Sequence, residues 1–122
     1  GMIWGAVNFM PHECVKLFNL IEEKKYQEVM DLWKLMEPVC LWLGGNRHNV
    51  DYLTGIKAAA NLSGREMGPP RKPLPNVAAP ARHDLRIAMS KLPINHTTNN
   101  RLVWRDWQEE KDWLIQSSIK RN

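Results

Sequence analysis

The chain opens on Gly1-Met2-Ile3-Trp4-Gly5-Ala6-Val7-Asn8-Phe9-Met10-Pro11, a short apolar run with β-branched residues inside it, closed by an Asn and then a Pro. That pattern reads as a buried parallel strand over residues 1–10 that hands over to a helix. A buried parallel strand needs a neighbour on each side, yet everything downstream reads as helix or loop. The strand is expected to be an orphan. The fold class that follows is all-α, a small bundle of about five helices.

The first helix is expected over 12–22, with Cys14, Leu17, Phe18 and Ile21 at i, i+3, i+4 and i+7. Pro11 suits its first turn, where a missing N–H costs nothing. The charged Glu22-Glu23-Lys24-Lys25 is a turn. A second helix over 26–43 carries two apolar faces, one of Tyr26, Val29, Met30, Trp33, Met36 and Cys40, the other of Leu32, Leu35, Val39 and Trp42. A helix apolar on two sides is expected between partners. Pro38 removes one of its hydrogen bonds and should kink it, and Gly44-Gly45-Asn46 should stop it. The third helix, 49–63, places Leu53, Ile56, Lys57 and Ala60 on one side and ends at Gly64, while Ala58-Ala59-Ala60 permits close approach of another backbone. Gly68 to Pro75 reads as an extended, polyproline-like strap. A fourth helix, 80–92, uses Leu85, Ala88, Met89 and Leu92. Residues 93–100 form a polar linker, and Asn99 or Asn100 caps a fifth helix over 101–120.

Three stretches in order resemble the dihydrodipicolinate synthase and N-acetylneuraminate lyase family of pyruvate-dependent class I aldolases. Gly1-Met2-Ile3 through Asn8, with Pro11, is similar to that family's eighth barrel strand. Glu28 to Leu43, with Leu35-Met36-Glu37-Pro38-Val39, is similar to the long helix that follows. Gly55-Ile56-Lys57-Ala58-Ala59 through Gly64, then Gly68-Pro69-Pro70-Arg71-Lys72-Pro73-Leu74, resembles the Lys-containing helix and Gly-Pro-Pro-Arg-x-Pro-Leu loop. The resemblance covers residues 1–92 and divides the chain there, with 93–122 as a linker and an additional Trp-rich helix. It implies the last barrel helix and C-terminal helical region of a truncated (β/α)8 aldolase.

The same resemblance implies what is missing. Family members form a Schiff base between pyruvate and a lysine on the sixth strand, relay protons through a tyrosine on the fifth, and hold the carboxylate on a second-strand loop. All of these lie upstream of the eighth strand and have no counterpart here. Lys57 matches a lysine that the family keeps on a C-terminal helix, away from the reacting carbon. The one position the resemblance places near substrate is Ile3, an apolar wall residue, and Trp4 stands where the family commonly has a small hydroxyl residue. No catalytic residue and no cofactor is therefore expected.

Composition narrows the remaining classes. A hydrophobic content of 43% over 122 residues argues for one folded domain rather than disorder. No run is long and apolar enough for a membrane span, and no signal peptide is visible. Cys14 and Cys40 lie on apolar helix faces and read as buried free thiols, which points to a cytoplasmic setting. His12, Cys14, Cys40, His48, His83 and His96 match no zinc spacing, so no metal is expected. The net charge of +4 permits nucleic-acid binding, but the basic residues are scattered among acids and read as solvated helix faces. No Gly-rich phosphate loop, paired carboxylates or Ser-His-Asp set is present.

What remains is surface. Trp104, Trp107 and Trp113 give the last helix a large apolar area, either covering the chain's own core or meeting a second subunit. Ile3, Trp4, Val7 and Phe9 lose their sheet. Each large apolar side chain left in water forfeits roughly 1.5–3 kcal/mol. The expectation is a homo-oligomer, a dimer or larger, with the N-terminal segment and second helix at the interface and Trp4, Phe9, Trp33, Trp104, Trp107 and Trp113 as interface candidates. Should residues 2–10 not pair with a symmetry mate, they are expected to abandon strand geometry for helix or coil. Three functional readings stay open: a truncated aldolase-family chain without independent catalysis, an autonomous helical module that binds another protein, or the C-terminal chain of a split aldolase whose partner supplies the N-terminal half of the barrel.

Overall fold

The computed structural model describes residues 1–44, 48–92 and 107–121, with side chains of the last helix described over 111–120. Among them, the architecture is all-helical: a short 3₁₀ turn, Gly5–Asn8, then α1 (Pro11–Glu22), α2 (Tyr26–Gly44), α3 (Tyr52–Leu62), α4 (Ala79–Ser90) and α5 (Trp107–Arg121). Helix α2 is the hub, packing on α1, α3 and α4, while α5 lies against α4. The five expected helices are present. The expected linker 93–100, the start of the fifth helix at 101–106 with its Asn99 or Asn100 cap, and the Gly45-Asn46 stop lie outside the described residues.

The opening segment corrects the strand reading. Residues 5–8 coil into a 3₁₀ turn that packs on α1 and α3. Ala6, Phe9 and Met10 are the buried ones, at i, i+3 and i+4, which is helical rather than alternating spacing. The cause is the backbone. An isolated strand has no partner for its N–H and C=O groups, whereas this turn satisfies them locally. Val7 N–H donates to the Trp4 carbonyl at 3.2 Å, and the N–H groups of Phe9 and Met10 both reach the Ala6 carbonyl, at 3.2 and 2.9 Å. The Asn8 side-chain amide closes the turn on the Gly5 carbonyl at 3.0 Å. Gly5 packs closely: a Cβ there would stand 2.4 Å from the Tyr52 hydroxyl and 2.8 Å from Ile56 Cδ1, so the ends of those two side chains would have to shift.

Helix α1 starts at Pro11 and closes with paired bonds, Lys24 N–H to Ile21 O and Lys25 N–H to Leu20 O. Of its expected apolar face, Cys14 and Leu17 are buried, Phe18 is half-buried and Ile21 is exposed. Helix α2 runs unbroken through Pro38 to Gly44. It buries one face, Leu32, Met36, Val39 and Leu43, at i, i+4, i+7 and i+11, with Trp42 beside them. The expectation that both apolar sides are covered does not hold within this chain, since Tyr26, Met30 and Leu35 stay exposed.

Helix α3 begins later than expected, at Tyr52, because Asp51 caps it: its carboxylate accepts the Thr54 N–H at 3.1 Å. The buried side is Thr54, Ala58, Ala59 and Leu62, and Leu53 points to solvent. The small residues do allow close packing. Ala58, Ala59 and Ala60 are all buried, and a Cβ on Gly55 would meet Leu43 Cδ2 at 2.9 Å and Trp42 Cζ3 at 3.1 Å. Gly64, at φ +89°, ends the helix with Arg65 N–H bonded to Ala60 O at 2.9 Å. Helix α4 carries Pro80 in its first turn and buries Ala81, Arg82 and Leu85.

Candidate interaction surface

The residues a barrel would have placed near substrate are spread apart. Ile3 stands wholly in solvent at 105% relative exposure, with no wall of side chains around it. Lys57, half-buried on α3, donates to the Pro69 carbonyl at 3.4 Å and ties the strap to the helix. Asn61 does more of this work: its side chain donates to Gly68 O at 3.2 Å and accepts the Met67 N–H at 2.6 Å. The strap is extended but folded once, with a cis Lys72–Pro73 bond and Leu74 N–H turned back to Arg71 O at 3.0 Å. Its role is to lead from α3 to α4, where buried Val77 receives a hydrogen bond from the Arg82 guanidinium on its carbonyl.

The titratable groups serve the scaffold. His48 Nε2 lies 2.6 Å from Asp84 Oδ2 and pins the α2–α3 connection to α4. His83 packs its ring against Trp113 at 5.7 Å, which seats α5 on α4. Cys14 and Cys40 are free thiols. Both are pushed up to about 11, Cys14 by burial and then by the nearby Cys40 and Glu13, and Cys40 by burial and then by Glu37. Among the described residues no three His, Cys, Asp or Glu side chains gather to hold a metal ion. His96 lies outside the described residues. Sequence reasoning missed the buried charges Glu13 and Arg82, at 0% and 1% exposure; two charged residues inside amphipathic helices give no signal that they point inward.

The interface candidates have separate fates. Phe9 is wholly buried in the chain's own core. Trp4 and Trp33 are half-buried and pack ring to ring, with centroids 6.3 Å apart and planes tilted by 34°. Trp113 is half-buried against His83. Trp104 and the side chain of Trp107 lie outside the described residues. Exposed apolar positions near the Trp4–Trp33 pair in sequence are Met2, Ile3 and Val7 on one side and Met30 and Leu35 on the other, with Tyr26 at 61% and Met30 at 51% exposure on α2. Leu41 continues along α2 at 60%. On α5, Ile115 and Ile119 are exposed one turn apart. Among the described residues, no helix is long and apolar enough to cross a membrane.

No family model matches this chain, and no solved structure does. A curated protein of Pyrobaculum arsenaticum, described as an uncharacterized DapA-like lyase, is 30% identical over 97 residues. The match takes in 75% of this chain and 32% of that protein. The chain thus spans about a third of the length of the curated relative it matches, and is similar to part of a DapA-like lyase.

Proposed function

We propose that this chain corresponds to the C-terminal helical part of a DapA-like protein and has no aldolase chemistry of its own. The observation that carries the reading is the 30% identity over 97 residues to a DapA-like lyase, confined to 32% of that protein. It agrees with the order of the three sequence stretches that resemble the dihydrodipicolinate synthase family. A pyruvate aldolase needs an amine freed for attack, a proton relay and a site for the substrate carboxylate. Lys57 faces a backbone carbonyl rather than a general base, and Ile3 faces water. The chain incubated with pyruvate and borohydride should give an unmodified mass. A stable pyruvyl adduct on Lys57 or any other lysine would overturn the reading.

A second reading, an autonomous helical module that binds protein, is favoured by the exposed Tyr26, Met30 and Leu41 of α2. A split aldolase, with a separate chain supplying the rest of the barrel, is the third. Reading the coding sequence upstream of Met2 separates the first reading from the other two. An in-frame stretch with a strand-borne lysine supports the DapA-like fragment, whereas a start site at Met2 favours a module or a split chain.

A further inference from the structure

We draw no further inference here: the strongest candidate, the exposed surface patch of Tyr26, Met30 and Leu41 on the outer face of α2, carries nothing because nothing in the structure shows what covers it.

Discussion

Lys24 occupies backbone space that suits glycine. At φ +58° it lies in the left-handed region, where an L side chain costs roughly 1–2 kcal/mol, and it holds that place because the last carbonyls of α1 are satisfied through it. Lys24→Gly removes the steric cost and adds some unfolded-state entropy, so a net gain of up to about 1 kcal/mol is expected, read as a higher urea midpoint with unchanged slope. The thiols make a second prediction. With Cys14 and Cys40 both at about 11 against an ordinary 9.0, little thiolate exists near pH 8, so iodoacetamide should label the folded chain slowly and the urea-unfolded chain fast. The sign of the stability effect follows. Neutral thiols are favoured in the fold, so their contribution is complete below pH 9.0 and is lost as pH rises toward 11, where the unfolded state ionises first. A urea midpoint that rose over that interval would contradict this.

At the level of elements, Trp42 joins α2 to α4. Its indole N–H donates to the Ala81 carbonyl at 2.8 Å in a buried setting, and its ring lies against Gly55 of α3. Trp42→Phe forfeits that bond and leaves space, so a loss of at least about 1 kcal/mol is expected in denaturant unfolding, with the helical spectrum retained. The elements themselves were largely legible. Pro11, the charged turn at 22–25 and Gly64 are local signals, and the helices they bound fall where those residues put them. The opening segment was not legible, because a run of so few apolar residues fits two periods equally well. What decides it is burial of Ala6, Phe9 and Met10 by α1 and α3, a tertiary fact. The late start of α3 was readable in hindsight from Asp51, three residues before Thr54. The two apolar faces expected on α2 do not survive as drawn. Met36 of one is buried with Leu32, Val39 and Trp42 of the other, while Leu41, assigned to neither, is exposed. Where α1, α3 and α4 dock decides which side is covered.

For the molecule as a whole, the described residues of a chain similar to part of a DapA-like lyase fold as helices around one core of their own. The packing supports this. Phe9, Met10, Cys14, Met36, Val39, Ala59, Ala60 and Leu85 are sealed from water within one core drawn from the opening turn and four helices. A core so shared ties its elements into one cooperative unit. The most direct measurement is a thermal melt of the chain followed by far-ultraviolet circular dichroism. The account predicts a helix-dominated spectrum lost in a single sigmoidal transition. A strand-dominated spectrum, or helical signal that drains away without a transition, would contradict it.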